Sequence, residues 1–158
     1  MKSRYAIAGA ASVIMLIAAC GDDEGGGSRT IAKGDVEFVG SDGLGEQSMD
    51  IEAIEEDGEV EGEARFNEAV LDLQCADLDA GEGRAVIGGE VTKPSGDNTP
   101  AVGDGIAVII EDGDPDRVTL WFGDDPDATC EELLESIPDD ATADDNFTDV
   151  ESGDLELG

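Results

Sequence analysis

The residues best spaced for chemistry are three aspartates that alternate with other residues in one short segment. Asp112, Asp114 and Asp116 give the spacing Asp-x-Asp-x-Asp, which can place three carboxylate oxygens around a hard cation such as Ca²⁺. The segment departs from the EF-hand loop, because Arg117 replaces its invariant glycine and Gly123 replaces its bidentate glutamate. A solvated turn between two strands fits a chain with this many acids better. We therefore expect no cofactor, with a low-affinity Ca²⁺ site as the alternative.

The chain offers no evident pair of a nucleophile and a base. It contains no histidine, and a serine or cysteine nucleophile needs a neighbouring base to activate it. Two carboxylates alone can hydrolyse a glycosidic bond. However, none of the 41 acidic residues is distinguished by its setting, and the aromatic residues that could stack on a sugar make up only 4% of the chain. The sequence thus predicts a protein that is not an enzyme, with a carboxylate-based hydrolase as the weaker alternative.

The first cysteine ends a segment typical of an export signal. Lys2 and Arg4 precede an uncharged run over residues 5–19, and a basic start, an apolar middle and small residues before the cut mark a secretory signal peptide. As a helix this run would span roughly 22 Å, less than the ~30 Å hydrocarbon core of a bilayer. Ile17-Ala18-Ala19-Cys20 resembles the lipobox of bacterial lipoproteins, although an ordinary signal peptide is the alternative.

The resemblance to the lipobox implies where the protein is located. In bacterial lipoproteins the signal peptide is cut just before the cysteine, whose thiol is acylated with chains such as palmitate. The resemblance therefore implies that residues 1–19 are removed and that lipid on Cys20 holds the protein in the cell envelope, outside the cytoplasm. Residues 20–29 are rich in glycine and acid and are predicted to be a flexible tether. Whether the inner or the outer membrane holds the anchor is left open.

The other two cysteines form an even pair once Cys20 is assigned to lipid. Cys75 and Cys130 are the only remaining cysteines, and such a pair normally oxidises outside the cytoplasm. Two free thiols or a metal site are the alternatives, and a metal site is the weaker because the chain has neither histidine nor a Cys-x-x-Cys motif. We expect a disulfide, which would stabilise the fold by up to about 4 kcal/mol.

Composition restricts the partners and the environment. The formal net charge is −33, with only 8 basic residues. This excludes nucleic acid as a partner, because that binding relies on Lys and Arg neutralising phosphates. The acidic residues are interleaved with regular apolar positions, which indicates a folded domain with an acidic surface rather than a disordered chain. A saline habitat would explain such a surface, because salt screens its self-repulsion.

Short segments that alternate between apolar and polar residues predict strands from residue 30 onward. The clearest is 59–66, where Glu59, Glu61 and Glu63 alternate with apolar or small residues. The apolar positions of the predicted strands are Val36 and Phe38, Met49 and Ile51, Val60 to Phe66, Leu71 to Cys75, Ala85 to Val91, Ile106 to Ile110, Val118 to Phe122, and Leu155 and Leu157. Residues 130–137 instead have helical spacing.

About eight short strands separated by turns predict one all-β domain over residues 30–158. The expected architecture is an antiparallel meander with one short helix, either a barrel or a sandwich. The barrel is preferred, because Leu155 and Leu157 can close against the first strand. The glycine pair Gly88-Gly89 indicates a bulge or a close approach where the sheet bends.

A wider pattern resembles a group of exported β-rich bacterial domains. The pattern joins Val60-x-Gly62, the alternating glycine and apolar positions over residues 83–91, the Asp112-Gly113 turn, and Gly153-Asp154-Leu155. The resemblance implies an all-β fold and brings no catalytic residues. Together, these observations predict a lipid-anchored envelope module that binds a protein or a small molecule, or that has a structural role. An apolar cavity open at one end of the barrel would favour a carrier.

Overall fold

A computed structural model describes residues 27–40, 45–79, 83–96, 100–138, 141 and 146–158. These residues form eight strands and one short helix. In chain order the elements are β1 (Arg29–Gly40), β2 (Gly45–Glu56), β3 (Glu59–Phe66), β4 (Ala69–Asp79), β5 (Arg84–Lys93), β6 (Gly105–Glu111), β7 (Arg117–Phe122), α1 (Cys130–Glu135) and β8 (Thr148–Leu157).

The strands close into an antiparallel barrel in which each strand pairs with its neighbours in the sequence and β8 returns to β1. Leu155 lies opposite Gly34 and Leu157 opposite Ala32, so the last strand closes against the first as predicted. The all-β meander with one short helix is confirmed, and the barrel is the correct choice over the sandwich. The hairpin β2–β3 turns at Asp57-Gly58, where φ values of 54° and 86° explain why an Asp-Gly pair stands there.

The interior of the barrel is filled by alternate residues of the strands. Side chains such as Val36, Ile51, Ile87 and Val108 belong to one buried apolar cluster to which every strand contributes. Their neighbours in the sequence point to the solvent and carry most of the acids, as the alternation predicted. An eight-stranded barrel is just wide enough for side chains to fill its interior, so this cluster is the hydrophobic core.

A bulge in β4 changes which face Cys75 occupies. The register between β4 and β5 shifts between Leu73, which lies opposite Gly89, and Cys75, which lies opposite Gly88. The extra residue, Gln74, reverses the alternation. The prediction that Cys75 shares a face with Leu73 is therefore wrong: Leu73 points inward and Cys75 points outward. The glycine pair thus lies at an irregularity and a close approach, as predicted, but the bulged strand is β4 and not β5. The bulge turns Cys75 towards the helix.

The helix α1 is attached to the outside of the barrel by a disulfide. Cys75 and Cys130 are bonded, with 5.8 Å between their Cα atoms, so the predicted disulfide is present. It lies directly over Gly88, where a Cβ atom would stand 2.7 Å from one sulfur and 2.8 Å from the other. Only glycine leaves room for the bond at this position. Thr129 caps the helix in a capping box with Glu132.

The helix also explains why β6 is the most apolar strand. Ala107 and Ile109 are fully buried although they alternate with the core residues Ile106, Val108 and Ile110. They therefore point outward, where α1 packs against β5 and β6. A strand that is covered on both faces needs a continuous apolar run, and this one has it.

The barrel closes through a short junction between β7 and β8. Only Arg117 and Val118 of β7 pair with β8. Asp116, which is 9% exposed, supports this junction: its carboxylate accepts hydrogen bonds from the backbone N–H of Gly113 and of Leu155, each 3.0 Å long. Its backbone carbonyl accepts a third from Val150, at 2.8 Å. Asp116 thus joins the β6–β7 turn to the last strand.

Residues 1–26 fall outside the described residues, and with them the predicted signal peptide, the lipid site at Cys20 and most of the predicted tether. Among the residues that the structure does describe, no helix is both long enough and apolar enough to cross a bilayer.

Candidate functional site

One end of the barrel interior holds an apolar cavity of about 310 Å³. We call this the cavity end; it is the end at which β3 turns into β4 and β5 connects to β6. Strands β2, β3, β4, β6 and β7 line the cavity together with the β5–β6 connection. The lining residues are Gln47, Met49, Ala64, Phe66, Asn67, Ala69, Leu71, Ser95, Pro100, Ile106, Val108, Leu120 and Phe122.

The cavity exists because two things are missing from this end of the barrel. Ala64 and Ala69 stand at inward-facing positions on adjacent strands, and a methyl group fills less space than a leucine or isoleucine would at the same positions. In addition, β8 reaches β7 only at Arg117 and Val118, so it does not cover the later residues of β7. Beside the cavity, the rings of Phe38 and Phe66 pack with their centroids 5.8 Å apart, and Phe66 forms part of the lining.

An aromatic side chain stands at the mouth of the cavity. Phe122 continues the inward-facing series of Val118 and Leu120, yet 51% of its surface is exposed. The other exposed large apolar residues of the described chain are Val39 and Val102, which lie at the end of β1 and in the β5–β6 connection. All three are thus at the cavity end. Of these three, Phe122 is the one that lines the cavity, and an apolar side chain left exposed at an opening is typical of a binding surface.

Hydrogen bonds hold the opposite side of the mouth in place. Asn67, in the β3–β4 turn, has a φ of 53°, in the left-handed region that asparagine tolerates better than most residues. Its backbone N–H donates to the carbonyl of Ser48 at 2.9 Å, and its side-chain carbonyl accepts from the N–H of Ser48 at 3.0 Å. Its amide nitrogen donates to Gln47. This part of the rim is therefore formed before any ligand arrives.

Among the residues that the structure describes, none that lines the cavity carries a charge. Its polar groups are the amides of Gln47 and Asn67 and the hydroxyl of Ser95, and the rest of it is apolar. The described lining includes no carboxylate, histidine or cysteine. Such a site can bind an apolar molecule and orient one neutral polar group at the mouth.

The structure gives the three spaced aspartates separate surroundings. Asp112 and Asp114 are exposed in the β6–β7 turn, whereas Asp116 is buried with both carboxylate oxygens occupied by backbone N–H groups. Among the described residues, no group of three or more acidic, cysteine or histidine side chains is arranged to hold a metal ion. The arrangement therefore favours a turn that Asp116 stabilises, and it does not bring the three side chains together as a calcium centre.

A compact charged cluster lies beside that turn. Arg84, Glu111 and Arg117 are cross-strand neighbours on β5, β6 and β7, and the Glu111 carboxylate forms an ion pair with each arginine. Both guanidinium groups also lie over the ring of Phe147, at 5.7 and 5.0 Å from its centroid. The cluster fixes the chain just before β8 to the barrel wall, which is a structural role.

Sequence reasoning identified the fold that surrounds the cavity but none of the residues that line it as a site. The available signal was weak: two alanines where larger residues are usual, and an aromatic residue at the end of β7. None of the protein-family models, curated proteins or solved structures compared with this chain matches it.

Proposed function

We propose that the protein is a lipid-anchored module of the cell envelope that binds a small, neutral, apolar molecule at the cavity end of its barrel. The observation that carries the proposal is the 310 Å³ cavity with its uncharged lining. Its volume lies at the lower end of the range for ligand sites, about 300–1,000 Å³. Because ~150 Å³ of apolar space is enough for benzene, the cavity has room for a ligand roughly twice that size.

The charge of the protein selects among apolar ligands. A fatty acid would bring a carboxylate to a mouth whose described lining includes no cationic residue, in a chain of net charge −33. The long-range field of the protein opposes this approach. Beyond its bonds to Ser48 and Gln47, the Asn67 amide keeps one N–H and one lone pair, with which it can form one hydrogen bond to a neutral hydroxyl, carbonyl or amine. A neutral ligand with one polar group therefore fits better than an anionic amphiphile.

Direct titration tests the proposal. N-phenyl-1-naphthylamine is neutral, and its fluorescence rises in an apolar site, so the purified protein should bind it saturably, whereas laurate of similar size should compete weakly. The Ala69→Leu variant adds three heavy atoms to the lining and should weaken binding about tenfold or more, by removing space that the ligand needs. Ala101→Leu, the same substitution at an exposed position of the β5–β6 connection, is the matched control and should bind as the parent does.

A second variant distinguishes a loss of binding from a loss of folding. Phe122 is half exposed, so Phe122→Ala should leave the thermal transition nearly unchanged while removing one aromatic face of the mouth. Binding should fall several-fold. If the parent protein shows no saturable binding, or if Ala69→Leu and Ala101→Leu bind alike, the cavity is not a ligand site.

The anchor is tested separately. In cells fed an alkyne analogue of palmitate, the protein should acquire the label and fractionate with membranes, and Cys20→Ala should lose both properties. Unlabelled protein that still fractionates with membranes would refute the lipid anchor and leave the proposal for the cavity unaffected.

A further inference from the structure

A second opening in the barrel lies between β3 and β4, near the end opposite the cavity. These two strands pair only between residues 62–66 and residues 69–73. Earlier in β3, residues 59–61 remain paired with β2, and later in β4 the chain remains paired with β5. Within the described part of the chain, residues 59–61 and 74–78 thus each keep one backbone edge without a strand partner. Both segments line one cleft of about 1040 Å³.

The bulge at Gln74 separates the two strands. After Gln74, β4 stays paired with β5 but no longer pairs with β3, because a bulge bends its own strand and increases the local twist. Free strand edges carry backbone N–H and C=O groups that readily pair with another chain. The β3 edge is three residues long and the β4 edge five, which corresponds to roughly 10 to 17 Å. This length suits an extended segment of three to five residues.

The side chains around the cleft have a definite chemistry. On its outer side they are carboxylates from β3, from β4 and from the adjacent helix α1, and no basic residue in the described part of the chain lines the cleft. These carboxylates belong to Glu59, Glu61, Asp72, Asp77, Glu131 and Glu135. On its inner side the cleft is apolar, with Val60, Leu73 and Ala76 facing the core. A strand placed here would present alternate side chains to carboxylates and to apolar groups.

We propose that the β3–β4 cleft binds an extended, basic peptide segment of a partner protein by strand addition, with lysine or arginine alternating with small apolar residues. The backbone of the segment pairs with the free edges of β3 and β4, its basic side chains contact the carboxylates, and its apolar side chains lie on the partly buried Val60 and Ala76. Main-chain pairing supplies affinity in such complexes, and the alternating side chains supply specificity.

Charge excludes the other occupants. A second copy of this chain would bring another net charge of −33 to the cleft. The chain's own residues 21–24, Gly-Asp-Asp-Glu, are acidic as well. Like charges placed together on paired strands are destabilising, so neither can fill a cleft lined by six carboxylates. A cationic segment from another protein is the occupant that complements the site.

The test uses two peptides that differ only in their backbone. Acetyl-Lys-Val-Lys-Val-Lys-amide should bind the purified protein and shift the backbone amide resonances of residues 59–61 and 74–78 in NMR spectra. The same peptide with N-methyl groups on its two valines keeps its charge and side chains but cannot donate hydrogen bonds from those positions. Its dissociation constant should be about thirtyfold higher, since the two lost hydrogen bonds together contribute about 2 kcal/mol.

Paired variants test the side-chain contacts. Glu61→Gln with Asp77→Asn removes two charges from the cleft and should weaken the unmodified peptide about threefold or more. Asp50→Asn with Glu156→Gln removes two exposed charges elsewhere on the barrel and should have a smaller effect. Equal binding of both peptides, equal effects of both double variants, or amide shifts outside the cleft would show non-specific attraction to an acidic protein and overturn the proposal. The outcome is independent of ligand binding at the cavity.

Discussion

Replacing Asp116 with asparagine should destabilise the barrel more than any other single loss of an acidic charge in the β6–β7 turn. The carboxylate of Asp116 accepts one N–H from Gly113 and one from Leu155, each at 3.0 Å. An asparagine side chain keeps one acceptor oxygen and replaces the other with an NH₂ group, which is a donor. One backbone N–H must then lose its partner and face another donor. The penalty for one buried donor left without an acceptor is about 1–3 kcal/mol.

The assay is equilibrium unfolding in urea. Asp116→Asn should lower the midpoint concentration without changing the slope, because the loss is local and the surface exposed on unfolding stays the same. Hydrogen exchange at the Leu155 amide should also become faster, since that N–H is the one held in the buried bond. This second readout locates the effect at the junction between β7 and β8.

Asp114→Asn is the matched control. Asp114 is exposed in the same turn, so this variant removes the same charge from a strongly acidic protein without breaking a buried contact. Its free energy of unfolding should change by no more than about 0.5 kcal/mol. If Asp116→Asn is as stable as Asp114→Asn, then Asp116 does not close the barrel and the role assigned to it is wrong.

Three further predictions concern the whole fold and the turn. Removing the disulfide with Cys75→Ala and Cys130→Ala should lower the free energy of unfolding by about 2–5 kcal/mol. A reductant should then have no further effect on the melting temperature of the variant. A variant that melts at the same temperature as the parent would contradict the assigned role of the bond. Because the Debye length falls from about 10 Å at 0.1 M salt to about 3 Å at 1 M, sodium chloride should raise the melting temperature more than it does for a neutral control protein, and an equal or smaller rise would argue against screened self-repulsion. Titration of the Asp112–Asp116 turn with millimolar Ca²⁺ in moderate salt should release no heat by calorimetry, and saturable heat would restore the calcium site.

The sequence predicted the strands well because the pattern of alternation is regular along most of the chain. In β3, for example, Glu59, Glu61 and Glu63 face the solvent on every second position, and the same period recurs in the other strands. The helix was also predictable, since the apolar residues within 130–137 are three or four positions apart, which suits a helix and not a strand. The even pair of cysteines gave the disulfide without any knowledge of the fold.

What could not be predicted depends on where alternation breaks. The residues around Gln74 give no sign that Gln74 lacks a partner on β5. The alternation therefore predicts that Cys75 points into the barrel, on the same face as Leu73, which is wrong. That same bulge opens the cleft between β3 and β4. The cavity depends on how far β8 extends along β7, and the alternation of apolar and polar residues does not reveal this length. The role of Asp116 depends on the position of Leu155, which is 39 residues away in the sequence.

The most direct test of the central claim is to locate a bound neutral ligand inside the barrel. In isotope-filtered NMR spectra, N-phenyl-1-naphthylamine should show nuclear Overhauser contacts to the methyl groups of Leu71, Val108 and Leu120, which line the cavity, and these contacts should weaken in Ala69→Leu at the same ligand concentration. Contacts only to exposed methyl groups such as those of Val39, or contacts that persist unchanged in Ala69→Leu, would contradict a ligand site at the cavity end.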